Sequence, residues 1–74
     1  MGKAIGMVEY KTVSAGVTAA DAMVKTAQVD IMEAQTVCPG KYIAVISGDL
    51  SAVNAAVETA KVQYGRHLIN SFVL

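Results

Sequence analysis

The spacing of apolar positions changes along the chain, and each change marks a new element. Ala4-Ile5-Gly6-Met7-Val8-Glu9-Tyr10 is a short apolar run with polar flanks and predicts a strand. From Ser14 the spacing turns helical. Val17, Ala20, Val24 and Ala27 recur on one face with Met23 beside them, while Thr18, Asp21 and Lys25 share another. Ser14 is the expected N-cap. Val29 to Val37 partly alternates, which predicts a strand with one wetter face. Cys38-Pro39-Gly40 predicts a turn, because Pro presets φ and Gly tolerates positive φ. Lys41 to Ser47 is the clearest strand and forms a hairpin with its predecessor. Gly48-Asp49-Leu50-Ser51 opens a second helix capped by Asp49 or Ser51, with Leu50, Val53, Ala56, Val57, Ala60 and Tyr64 at 3.6 spacing. Gly65 supplies its stop, and Leu68 to Leu74 is the last strand.

The order is therefore β-α-β-β-α-β over one domain, residues 1–74. Each βαβ half is expected to cross over right-handed onto a neighbouring parallel strand. The fold class is α+β, a ferredoxin-like, four-stranded antiparallel sheet with two helices on one face. No stretch reads as a linker, an internal repeat or a low-complexity tract.

Composition narrows what such a domain does. Hydrophobic residues make up 54% of the 74 residues and charged residues 16%, which excludes disorder. Lys+Arg 6 balances Asp+Glu 6, so no surplus of cations is available to displace phosphate counterions, and nucleic acid is not an expected partner. One Cys excludes an internal disulfide framework. Apolar stretches such as Ile43 to Ile46 fall far short of the ~20 residues of a membrane span, and Met1 to Tyr10 lacks the apolar segment of a signal peptide. A soluble, cytoplasmic protein is expected. Twelve Ala and eleven Val, against one Phe, three Tyr and no Trp, bury little area per side chain. Much apolar surface should stay exposed, and together with zero net charge this points to an oligomer.

The chemistry of familiar ferredoxin-like domains is mostly missing. Stacking aromatics for RNA would stand on the central strands, where only Tyr10 and Tyr42 are aromatic. A C-x-x-C metal motif is ruled out by the single thiol, and Gly2 and Gly6 lack the third glycine of a phosphate cradle. His67 has no neighbouring Ser or Cys to suggest a triad and is assigned a structural or interface role. Asp21 and Lys25 form an i,i+4 pair on a solvated helix face. Glu9 and Glu33 are placed to meet across neighbouring strands, without marking a catalytic pair. No enzyme active site is expected within one subunit. Cys38 is placed at the tip of the hairpin, where an unpaired thiol is either incidental or a ligand completed by symmetry. One Cys per chain cannot hold a cluster, whereas several chains around an axis would present the four thiolates that iron–sulfur clusters commonly take, or a zinc site.

Three blocks, Ala4-Ile5-Gly6-Met7-Val8-Glu9, Ala19-Ala20-Asp21-Ala22-Met23-Val24-Lys25 and Ser47-Gly48-Asp49-Leu50-Ser51-Ala52-Val53, resemble the bacterial microcompartment (BMC) shell proteins. The resemblance implies a flat cyclic homo-hexamer that tiles edge to edge, with other shell proteins, into the wall of a protein organelle in the cytoplasm. It implies that Thr36-Val37-Cys38-Pro39-Gly40 is the central pore loop and that Lys25 is the lysine at the edge between tiles. The loop departs from the small Gly/Ser-rich loops of open metabolite pores. It is similar to shell proteins of glycyl-radical-type compartments, and to some tandem-domain ones, that hold an iron–sulfur cluster in the pore. Cys38 would be the metal ligand of a 4Fe-4S cluster shared between subunits, serving electron transfer with enclosed redox enzymes, redox sensing or pore plugging. The chain ends at Leu74, where typical members continue with a Pro-Arg-Pro segment. Two other readings stand beside this one: a metal-free tile whose loop gates metabolites, and a small ligand-binding regulatory module on the same fold.

Overall fold

The computed structural model describes residues 3–37 and 40–74. Strands β1 (Ala4–Tyr10), β2 (Asp30–Val37), β3 (Lys41–Gly48) and β4 (Leu68–Val73) form one antiparallel sheet, joined by helices α1 (Val13–Thr26) and α2 (Leu50–Gln63). A single 3-10 turn, Gly65–His67, leads into β4. The expected fold class is what the chain adopts. Its strand order, β2-β3-β1-β4, corrects one detail: each crossover skips a strand instead of landing on its neighbour. With β3 lying between β1 and β2, Glu9 pairs with Ile43 and Glu33 with Val45, so the two carboxylates do not meet across adjacent strands.

Period-two alternation sets the two faces of the sheet. Along β1, Ala4, Gly6, Val8 and Tyr10 are buried while Ile5, Met7 and Glu9 are only half-covered. A Cβ at Gly6 would reach within 2.8 Å of Val53 and 2.9 Å of Val57, both on α2, and one at Gly16 of α1 would run into Tyr42. Tyr42 lies opposite Tyr10, whose hydroxyl reaches Ala60 of α2, so both helices cover the same face. Between them lies a core of small and medium residues: Val8, Tyr10, Ala19, Met23, Ala44, Ile46, Val53, Ala56 and Ala60. Ala and Gly at the helix–sheet contacts let the backbones approach closely, which accounts for the Ala-rich composition.

Three expectations about α1 and β2 need correction. The N-cap is Thr12, not Ser14: its backbone is extended, and its hydroxyl oxygen accepts from the Ala15 N–H at 3.1 Å. The buried stripe of α1 is Gly16, Ala19, Ala20 and Met23, whereas Val17 and Val24 are 49% and 40% exposed. Where α1 comes closest to Tyr42 the inner position is Gly16, and the neighbouring Val17 faces outward. On β2 nearly every residue is exposed, on both faces. The helices concentrate on β1 and β3, and a bulge at Met32 interrupts the pairing of this edge strand with β3. Leu50, expected on the inner face of α2, is also exposed. The stop after α2 uses no left-handed glycine; Tyr64 is the C-cap and Gly65 begins the 3-10 turn.

Candidate functional site

The expected loop lies where β2 hands over to β3. Thr36 pairs with Tyr42 and Val37 with Lys41, which leaves residues 38–40 to connect the strands. Gly40 has φ +73°, the left-handed region that its missing Cβ permits, and among the described residues, its chain neighbours aside, no atom lies within 4 Å of where a Cβ would sit. Thr36 and Gly40 are exposed, and Val37 is half-buried. Cys38 and Pro39 lie outside the described residues. Thr36 and Val37, the last residues of β2, and Gly40 thus stand together at one end of the sheet.

Lys25 stands elsewhere. Chain direction puts the start of α1 at the loop end, after Tyr10, and its end near Asp30, which pairs with Ser47 at the far end of β3. Lys25, in the last turn of α1, is therefore remote from the loop. Its ammonium lies 3.0 Å from the Asp21 carboxylate, with both side chains well exposed. That i,i+4 pair holds Lys25 in a defined direction without removing it from solvent. The loop and Lys25 are not brought together, and a centre-and-edge arrangement would require them to be apart.

His67 is exposed at the loop end, and its carbonyl accepts from the Lys11 N–H at 2.8 Å. Among the described residues no group of three or more His, Cys, Asp and Glu side chains could hold a metal ion, and no cavity opens. No helix among them is long and apolar enough to cross a membrane.

Two features escaped the sequence reading. Tyr10 is fully buried, and its hydroxyl donates to the Ala60 carbonyl at 3.2 Å, an oxygen that also accepts from the Tyr64 N–H at 3.0 Å. Burial, with a smaller repulsive contribution from Tyr64, pushes the Tyr10 phenol up to about 12. The second is the grouping of Lys11, Lys41 and Arg66 at the loop end, which strand register alone brings together. Only the order of strands in the sheet could have signalled it.

Comparison with known proteins places this geometry in context. The BMC domain pattern matches residues 4–74. Over 74 residues the chain is 39% identical to the bacterial microcompartment shell protein PduT of Citrobacter freundii, covering 100% of this chain and 40% of that protein. It is 41% identical over 56 residues to the shell protein PduA of the same species, covering 76% of this chain and 60% of PduA. The crystal structure of a microcompartments protein from Desulfitobacterium hafniense DCB superposes with a TM-score of 0.95 at 44% identity, covering 100% of this chain and 41% of that one. The chain thus spans about two-fifths of the length of PduT and of the crystallised protein.

Proposed function

The chain belongs to the BMC-domain family, and on that premise we propose that it is a structural shell protein, a tile in the wall of a bacterial microcompartment in the cytoplasm. The observation that carries this reading is the family match across residues 4–74, together with the superposition of the whole chain on a microcompartments protein at a TM-score of 0.95. In this reading six chains form a cyclic ring, with the β2–β3 loop at the axis and Lys25 at the rim. The exposed apolar residues support it. Val13 and Val17 of α1 and Ile31 and Met32 of β2 stay in water in a single chain, and association would cover such surface. Partners are further copies and other shell proteins, and the role is structural rather than catalytic.

The loop reading extends this proposal to an iron–sulfur cluster held through Cys38. Its support is the register of the hairpin, which leaves the connection at the open end of the sheet, and the donor chemistry of a thiolate. One Cys per chain fits such a group only if several loops meet on an axis, so the cluster reading depends on the ring. When bound, the cluster would supply one-electron chemistry at the pore or close it. The chain's own part is to hold Cys38 between two paired strands. Iron and acid-labile sulfide per ring, measured on protein purified without oxygen beside Cys38→Ser, test this. Matched iron and sulfide in the wild type with none in the variant is the expected result. No metal in either protein, with rings intact, would overturn the cluster and leave a metal-free tile whose loop gates small metabolites.

A further inference from the structure

The two edges of the sheet are β2 and β4, and each leaves a row of backbone N–H and C=O groups without a neighbouring strand. β2 is blunted by its own sequence. It carries Asp30 and Glu33, and the bulge at Met32 breaks the regular row. β4 lacks this protection along most of its length. Leu68-Ile69-Asn70-Ser71-Phe72-Val73-Leu74 contains no charge, no Pro and no Gly, and Ile69, Phe72 and Leu74 are exposed. Its one irregularity, at Ile69, leaves Asn70 to Val73 in unbroken register with β1. A short uncharged run of β-forming residues on an open edge is the composition that adds to a copy of itself.

The ladder shows which groups the open edge offers. Ile5 and Leu74 exchange both backbone hydrogen bonds, at 3.1 and 2.8 Å. Antiparallel pairs alternate between exchanging and non-exchanging. Counted inward through the register, Met7–Phe72 and Glu9–Asn70 exchange, whereas Gly6–Val73 and Val8–Ser71 do not. Ser71 and Val73 therefore turn their N–H and C=O groups away from β1, towards the open edge. A second strand would have to bond both residues. The Ser71 N–H is already taken, because it donates to Oδ1 of the neighbouring, exposed Asn70 at 3.0 Å. Among the described residues no side chain does the same for the Val73 N–H. We propose that Asn70 guards this edge: its amide oxygen occupies the Ser71 donor and stops a second copy of β4 from adding antiparallel to the sheet. The strand excluded is another β4, because it brings no charge to repel its twin and presents the same β-forming side chains for cross-strand pairing. With Ser71 engaged, Val73 alone is left to donate, one bond where strand addition needs a row. The inference goes beyond the shell reading and does not rest on it.

Residue-resolved hydrogen exchange and thioflavin T fluorescence test it, on the wild type, Asn70→Ala and Tyr10→Phe. Asn70→Ala removes the acceptor without adding apolar bulk or a strong strand former. Tyr10→Phe is the control for lost stability alone, since it leaves the edge of β4 unchanged. In the wild type the Ser71 amide should be protected about fivefold more than that of Val73, the scale of one hydrogen bond, and Asn70→Ala should remove the difference. Concentrated Asn70→Ala should also bind thioflavin T and show the infrared band of intermolecular strands, which neither the wild type nor Tyr10→Phe should show. Equal protection of Ser71 and Val73 in the wild type would overturn the guard whatever the variant does. So would an Asn70→Ala protein, folded by circular dichroism, that binds no thioflavin T, or one whose signals Tyr10→Phe matches.

Discussion

Gly16 is the point where α1 comes closest to the sheet, and replacing it with Ala probes the packing that fixes the whole helix layer. A Cβ there would press on Tyr42 Cδ2 and lie 2.6 Å from Tyr42 Cβ and Cγ. Rotating the ring cannot clear the Cβ and Cγ contacts, because those atoms sit at the root of the side chain. Either the helix or strand β3 must shift. Overpacking of this kind costs roughly 1–3 kcal/mol. Ala is also the better helix former by about 1 kcal/mol, which offsets part of that cost. Because the contacts fall on atoms at the root of the side chain, the cost lies in the upper part of the overpacking range, about 2–3 kcal/mol. The net expectation is a loss of about 1–2 kcal/mol, or roughly 5–15 °C in Tm for a domain of this size. Gly65→Ala is the control, since among the described residues, its chain neighbours aside, no atom lies within 4 Å of its Cβ position and its φ is outside the left-handed region. That change should be neutral or stabilising by up to about 1 kcal/mol. Thermal and denaturant unfolding at one protein concentration compare the two, because association adds to apparent stability. If Gly16→Ala matches or exceeds the wild type while Gly65→Ala behaves as expected, the helix–sheet approach described above is wrong.

Two further outcomes follow from the same structure. Tyr10→Phe removes one of two hydrogen bonds to the Ala60 carbonyl, leaving that oxygen its bond from the Tyr64 N–H, so the loss should be about 0.5–1.5 kcal/mol. The phenol is neutral when protonated, and its pKa rises from 10.0 in the unfolded chain to about 12 in the fold. Stability is therefore unaffected by this group below pH 10 and falls as pH climbs towards 12, by about 3 kcal/mol in all, and this alkaline fall should vanish in Tyr10→Phe when unfolding is followed against pH. Lys25→Ala breaks an exposed i,i+4 pair and should cost only a few tenths of a kcal/mol in unfolding experiments. In electron micrographs of concentrated protein the same variant should show single rings without extended layers; undiminished layers would remove Lys25 from the rim.

Most of the framework was legible in the chain because the switch between period 2 and period 3.6 is sharp. β1 runs from Ala4 to Tyr10 as the apolar run predicts, and the β2–β3 hairpin falls where Pro39-Gly40 requires a turn. The failures share a cause, which is that tertiary neighbours rank residues differently from hydropathy. Val17 and Val24 look like core beside Gly16 and Ala19, yet the buried stripe runs through Gly16, Ala19, Ala20 and Met23, with Gly16 pressed against Tyr42. β2 alternates too weakly to show that it is an open edge on both faces, and the adjacency of Glu9 and Glu33 failed because β3 lies between their strands. The hydroxyls of Thr12 and Ser14 are equivalent caps in composition, and only the extended backbone at Thr12 decides between them. Of the turn, Gly40 is left-handed as its sequence predicts, while Thr36 and Val37 close β2 and Cys38 and Pro39 lie outside the described residues. The cationic grouping was invisible because Lys11, Lys41 and Arg66 are far apart in the chain and meet only through the register.

Negative-stain electron microscopy of the concentrated protein tests the shell assignment most directly. Sixfold rings joined edge to edge into layers or tubes are the predicted result. A field of monomers or small dimers across the concentration range, with no rings and no layers, would contradict it.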